Sequence, residues 1–152
     1  MLLHTSLMRK ALEVAELALL NNEVPIGAVI SIGSEIIVAT HNQTEKLKNA
    51  TAHAEFLAIS EACRILGKKY LNECTLYVTL EPCSMCAGAM VNTKLKQLVF
   101  GAYDVHAGAT GTVINITNSN SLNHRVNTLG GVLDTDCSIL LKQFFKSKRE
   151  KF

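Results

Sequence analysis

Apolar residues near the start of the chain follow a helical period and then change to the pattern of strands. Residues 7–20 carry apolar side chains at intervals of three and four, which predicts an amphipathic helix. The positions that set this period are Met8, Ala11, Leu12, Ala15 and Leu19. The β-rich runs 25–30 and 35–39 follow, and Gly33 and Ser34 between them predict a hairpin.

The middle of the chain alternates twice between helix and strand. Thr51 is a favourable N-cap for a helix that ends before Gly67, which is a typical C-terminal cap. Residues 75–80 are rich in β-branched and aromatic side chains and predict a third strand. Pro82 suits the first position of a second helix, and the apolar residues 97–100 predict a fourth strand.

The last part of the chain is less regular. Residues 107–127 are rich in Gly, Thr, Asn and Ser and predict a loop, and we expect a short fifth strand at 131–133. Asp134 can cap a final helix. The apolar positions of that helix are Ile139, Leu140, Phe144 and Phe145. Strands that alternate with helices predict a three-layer α/β/α sandwich, and without repeats or a linker we expect one domain over residues 1–152.

The composition fits a globular protein, with 48% apolar and 18% charged residues. No apolar run approaches the roughly 18 residues of a membrane helix, and the first residues do not resemble a signal peptide, so we expect a cytoplasmic protein with no membrane partner. Five cysteines cannot all pair within the chain. Cys63, Cys74 and Cys137 stand among apolar neighbours, where we expect small buried side chains.

The other two cysteines, Cys83 and Cys86, are separated by two residues at the start of a predicted helix. The positive end of the helix dipole favours their thiolate forms, which bind metals. His53 lies in the first turn of the preceding helix. If the strand between the two helices is central, both helix starts lie at the same edge of the sheet, and His53 completes a Cys2His set that favours zinc.

The number of ligands predicts a catalytic zinc site. Structural zinc sites usually have four protein ligands, whereas here Cys74, nine residues before Cys83, lies outside the usual spacing of a fourth. The open position can hold a water whose pKa zinc lowers to about 7. Glu55, two residues after His53, can take the proton of this water and return it to a leaving nitrogen.

Basic residues are concentrated at the C-terminal end of the chain. They are Lys142, Lys146, Lys148, Arg149 and Lys151, accompanied by one acid, Glu150. Cations also suit the negative end of a helix dipole, so charge alone leaves two interpretations open. One is a solvated helix end, and the other is a patch that contacts phosphate groups.

Two motifs and several flanking segments resemble a known family. His-Ala-Glu at 53–55, followed by Pro-Cys-Ser-Met-Cys at 82–86, is similar to the signature of the cytidine/deoxycytidylate deaminase superfamily. Each motif is weak alone, since Cys-x-x-Cys also occurs in redox and structural zinc sites. Flanking segments narrow the resemblance to the bacterial tRNA-specific adenosine deaminases, over nearly the whole chain. These segments are 23–29, 79–90, 100–104 and 123–126.

This resemblance implies a cytidine-deaminase-like five-stranded mixed sheet flanked by helices, a homodimer, and one zinc ion per subunit. It implies hydrolysis of the wobble adenosine of a tRNA to inosine, by attack at C6 and release of ammonia. His53, Cys83 and Cys86 match the zinc ligands, and Glu55 matches the residue that carries the proton.

The resemblance also implies residues that hold the RNA. Asn42 and the backbone N–H of Ala54 match contacts to a base flipped out of the anticodon loop. Asp104 is a candidate for a ribose contact. Phe144 or Phe145 can stack on a base while the other packs in the core, and burial of both is the alternative. The expected phosphate contacts are Lys146, Lys148 and Arg149.

Two other functions remain open from the sequence. A deaminase of a free base or nucleoside, such as guanine, cytosine or cytidine, would use the same two motifs. A catalytically inactive zinc module that only binds RNA would keep the three metal ligands and would not need Glu55. The Asn-His-Arg segment at 123–125 and the basic, aromatic tail favour a tRNA substrate over a free base or nucleoside.

Overall fold

The computed structural model describes residues 1–150, except for the side chain of Glu150, so Lys151 of the basic tail lies outside the described residues. Within this range the elements are α1 (Leu2–Leu20), β1 (Gly27–Ile32), β2 (Glu35–His41), α2 (Ala54–Leu66), β3 (Thr75–Leu80), α3 (Ser84–Asn92), β4 (Gln97–Ala102), β5 (Asn127–Leu129) and α4 (Asp134–Glu150). None of the helices within residues 1–150 is long and apolar enough to cross a membrane.

The five strands form one mixed sheet in the order β2-β1-β3-β4-β5. Strand β1 runs antiparallel to both β2 and β3, whereas β3, β4 and β5 are parallel to one another. The strand β3 is therefore central, and the five-stranded mixed sheet implied by the resemblance is confirmed.

Helices cover both faces of the sheet, as the three-layer prediction requires. Successive residues of a strand point to opposite faces. In β3, Leu76 and Val78 pack in a core cluster with residues of α2 and α3, such as Ala58 and Met90. Tyr77 points to the other face and packs in a second cluster with residues of α1 and α4. The helix pairs α2/α3 and α1/α4 thus form the two outer layers.

The bounds of several elements differ from the prediction. Helix α1 begins at Leu2 rather than residue 7. The N-cap of α2 is His53 and not Thr51, whose backbone N–H and hydroxyl both donate to the side chain of Asn49. Gly67 ends α2 as predicted, in a left-handed conformation with φ 64°. Among the cysteines expected in the core, Cys63 is only partly buried.

The fifth strand lies at Asn127–Leu129 rather than at 131–133. Gly130 contacts the ring of Phe100 so closely that a Cβ would lie 2.3 Å from it, and Gly131 follows with φ 86°. A strand cannot pass through this turn, and the apolar residues Val132 and Leu133 form a turn that directly precedes α4. Asp134 is the first residue of α4, and its carboxylate accepts a hydrogen bond from Ser138 instead of capping the helix.

The central position of β3 brings the two motifs together. The chain leaves the carboxyl end of β3 through Pro82 and reaches Cys83, the N-cap of α3. It enters α2 through His53, the N-cap of that helix. Because α2 and α3 precede and follow the same central strand, both helices begin at one edge of the sheet, as the sequence analysis expected.

Candidate active site

Three side chains from the two helix starts converge on one point. The Nδ1 atom of His53 lies 3.5 Å from Sγ of Cys83 and 3.7 Å from Sγ of Cys86, and all three donor atoms lie within 4.8 Å of one another. Around a tetrahedral zinc, bonds of about 2.3 Å to sulfur and about 2.0 Å to nitrogen separate such atoms by about 3.5 Å. The spacing and chemistry of the donors therefore fit zinc.

The thiols of Cys83 and Cys86 are hydrogen-bonded to each other, and this changes the pKa of both. The hydrogen bond between them, together with the nearby His53, lowers the pKa of Cys83 to about 4 against the opposing effect of burial. The same hydrogen bond, together with burial, raises the pKa of Cys86. Cys83 is thus the thiolate of the pair, and its hydrogen bond to His53 raises the pKa of the imidazole. A divalent cation at this point favours loss of the remaining protons.

Glu55 lies beside the donor group and is only 5% exposed. Burial raises the pKa of Glu55 to about 7, while its own backbone N–H and the nearby His53 lower it. A cation held by the neighbouring donors lowers this pKa again through attraction of the carboxylate. A carboxyl group tuned in this range can both accept and release a proton near neutral pH.

Asn42 and Ala54 lie at the same edge of the sheet. Asn42 directly follows β2 and is buried, and its backbone N–H donates to the carbonyl of Ile26. The backbone carbonyl of Asn42 is hydrogen-bonded to the imidazole of His41 at 2.9 Å. Ala54 is the first residue of α2, where a backbone N–H has no partner within the helix. The backbone N–H of Ala54 is therefore available to a ligand.

Asp104 and the two phenylalanines of α4 have different surroundings. The Oδ1 atom of Asp104 accepts hydrogen bonds from the backbone N–H groups of His106 and Ala107, so this residue also caps a turn. Phe144 is buried, whereas Phe145 is 46% exposed. Asp104 and Phe145 line one surface groove of about 340 Å³. A stacking role therefore fits Phe145 and not Phe144.

The basic residues predicted to contact phosphate groups follow Phe145 on the last turns of α4. Lys146 and Arg149 are exposed. Lys148 is partly buried, with its Nζ atom 5.4 Å from the centre of the Phe144 ring. The two exposed cations border the same end of α4 as the Phe145 ring.

Glu81 is a buried acid that lies beside the site. No role was predicted for it from the sequence. It is 2% exposed and accepts hydrogen bonds from Asp104, Thr110 and Thr112 in the loop after β4. Its only sequence signal is its position directly before Pro82, because partners 23 to 31 residues away leave no local pattern.

Glu23 is a second buried acid of this kind. It is 1% exposed, and its two carboxylate oxygens accept the backbone N–H groups of Glu45 and Lys46 at 3.0 and 2.8 Å. The segment that it holds follows Asn42 and leads to His53. An acidic residue between a helix and an apolar strand was the only sign of this contact in the sequence.

Comparison with known proteins gives a consistent family. The family model of the MafB19-like deaminases matches residues 3–149. The chain is 45% identical over 144 residues to the tRNA-specific adenosine deaminase of Bacillus subtilis, covering 95% of this chain and 89% of that protein. It is 47% identical over 142 residues to the enzyme of that name from Aquifex aeolicus, covering 93% of each.

Solved structures agree with these relatives. A structure from studies of A-to-I editing by tRNA:A34 deaminases at the wobble position of transfer RNA superposes with a TM-score of 0.85 at 36% identity, covering 88% of this chain and 97% of that one. A guanine deaminase from Nitrosomonas europaea has a TM-score of 0.79 at 23% identity, covering 90% and 81%, which shows a shared fold alone. The chain therefore belongs to the tRNA-specific adenosine deaminase family and is a zinc-dependent enzyme.

Proposed function

We propose that the protein hydrolyses the wobble adenosine of a tRNA to inosine and releases ammonia. The observation that carries the proposal is the group of three metal donors with the buried Glu55 beside it. The named activity of relatives with 45% and 47% identity over almost the whole chain supports the choice of substrate.

In this proposal His53, Cys83 and Cys86 hold the zinc ion, which supplies an activated water when bound. Three protein ligands leave one position open for that water. The hydrogen bond that already favours the thiolate of Cys83 helps to prepare the donors for the cation.

Glu55 moves the proton. It takes a proton from the water as the oxygen forms a bond to C6 of the adenine ring. It delivers this proton to N1 as the C6–N1 double bond opens. It then carries the proton of the new hydroxyl group to the amino nitrogen, so that the C6–N bond to the amino group breaks, ammonia leaves and the C6 carbonyl of inosine remains. Positioned acid–base catalysis of this kind contributes about 10²–10⁴-fold to a rate.

The remaining residues hold the substrate. Asn42 and the backbone N–H of Ala54 hydrogen-bond the flipped base, and the free oxygen of Asp104 contacts the ribose. Phe145 stacks on a neighbouring base of the anticodon loop while Phe144 packs inside the protein. The cations that contact phosphate groups are Lys146, Lys148 and Arg149.

We further propose that residues 1–152 act as one deaminase domain in a homodimer. The single chain exposes large apolar side chains that a second copy could cover, and these support the dimer. They include Phe56 and Ile65 on α2 and Val113, Ile114 and Leu122 in the loop before β5. Because the substrate is a tRNA and the five cysteines are free, we place the enzyme in the cytoplasm.

The experiment that tests the function uses an anticodon stem-loop with adenosine at the wobble position. We expect the purified zinc enzyme to form inosine in this RNA, and to leave a stem-loop with guanosine at that position unchanged. Free adenosine, guanine, cytosine and cytidine are assayed in parallel for ammonia release. Ammonia from a free base, with no inosine in the stem-loop, would overturn the proposal.

A further inference from the structure

We propose that Glu81 is a positioning residue for the RNA: it holds the loop 104–112 in the shape that receives the substrate. The inference rests on the proposed function, because the loop carries the candidate ribose contact Asp104. Glu81 does not touch the reacting atoms in this proposal. It acts through the loop that it binds.

The carboxylate of Glu81 organises the loop through both of its oxygens. Oε1 accepts the backbone N–H of Asp104 at 3.2 Å and the hydroxyl of Thr112. Oε2 accepts the backbone N–H groups of Thr110 and Thr112, each at 3.2 Å, and the hydroxyl of Thr110 at 3.3 Å. Three of the five donors are backbone groups, so the carboxylate fixes the path of the main chain.

The loop fits closely around this carboxylate. A Cβ added to Gly108 would lie 2.5 Å from Cδ of Glu81 and 2.5 Å from the carbonyl oxygen of Asp104. The backbone N–H of Ala109 also donates to the carbonyl of Pro82 at 2.9 Å. The segment 81–82 therefore supports the loop with both a side chain and the main chain.

This arrangement links the metal donors to the groove that contains Asp104. Glu81 lies two residues before Cys83, and the backbone N–H of Asp104 is bound to it. The position of Asp104 relative to the metal donors thus depends on the contacts of Glu81. A displaced loop would weaken a ribose contact equally in the bound substrate and in the transition state, which raises KM and leaves kcat nearly unchanged.

The test replaces Glu81 by an amide. In Glu81→Gln one oxygen becomes an NH2 group that faces at least one backbone N–H of the loop, whichever way the amide is turned. We expect one zinc per subunit, KM for the anticodon stem-loop raised about tenfold or more, and kcat within about threefold of the wild type. The amides of Thr110 and Thr112 should exchange hydrogen faster than in the wild type.

A purely structural role predicts a different result. Partial unfolding lowers the concentration of active enzyme, so kcat falls in proportion to the folded fraction while KM stays the same. Thr112→Val removes one donor, keeps the shape of the side chain, and should raise KM by a smaller factor. Glu61→Gln is the matched control, because Glu61 is partly exposed on α2 and pairs with Arg64 rather than with the loop.

Each outcome is decisive. An unchanged KM in both Glu81→Gln and Thr112→Val overturns the positioning role, and so does loss of zinc from Glu81→Gln. The wild-type reaction is read separately: a wild type that binds the stem-loop without forming inosine contradicts the proposed function, and the affinity of the variants then tests Glu81. A wild type that neither binds nor deaminates the stem-loop overturns both proposals.

Discussion

At the scale of single residues, Glu55 is buried beside the metal donors, and burial raises its pKa to about 7. In Glu55→Gln the side chain keeps its size and loses the ability to carry a proton. We expect kcat on the stem-loop to fall about 10²–10⁴-fold with zinc content unchanged, measured by inosine formation and metal analysis.

Cys83→Ala is the contrasting variant for Glu55→Gln, because it should lose zinc as well as activity. Cys63→Ala is the control, since Cys63 lies outside the donor group and should keep both. Activity near the wild-type level in Glu55→Gln would contradict the role of the carboxylate. Loss of zinc from that variant would assign Glu55 to the metal rather than to the proton.

At the scale of elements, the contact between α1 and β1 depends on Gly27. A Cβ at this position would lie 2.0 Å from the carbonyl oxygen of Ala11 and 2.7 Å from the backbone nitrogen of Ala15. We expect Gly27→Ala to destabilise the protein by about 3 kcal/mol because backbone must move. For a chain of this length that lowers Tm by about 10 °C in a thermal melt.

The matched variant for Gly27→Ala is Gly88→Ala in α3, where a Cβ meets nothing within 4 Å. Alanine is favoured over glycine inside a helix by about 1 kcal/mol, so this variant should melt at or slightly above the wild-type temperature. Equal melting temperatures for the two variants would show that the close approach at Gly27 relaxes without cost.

The sequence predicted elements well where local signals set them. Residues 75–80 form a strand with the predicted bounds, because alternation and β-rich composition act over a few residues. The fifth strand was misplaced because its position depends on the contact of Gly130 with Phe100, thirty residues away. Thr51 has the right chemistry for a cap, but Asn49 binds it and the helix begins later.

At the scale of the whole molecule, the metal group was predictable because its residues sit at two helix starts. A central position of β3, which the structure confirms, was enough to predict that His53 lies near the two cysteines. The anchoring roles of Glu23 and Glu81 were not predictable. Each depends on loops that return to the carboxylate after more than twenty residues, and a single sequence carries no periodic signal for such contacts.

The C-terminal end of α4 provides a test of how the molecule as a whole meets RNA. Lys146, Lys148 and Arg149 follow the exposed Phe145. Changing the three cations to Gln keeps their aliphatic stems and removes three charges. If each contacts a phosphate, the slope of log K against log salt for the stem-loop should flatten by about 2, at roughly 0.7 per contact with a single strand.

The control changes Lys10, Arg64 and Lys68 to Gln, which removes the same charge from surface ion pairs elsewhere. An unchanged slope in the tail variant would show that these three residues do not contact phosphate groups. An equal change in the control would show that net charge, and not this surface, determines the slope.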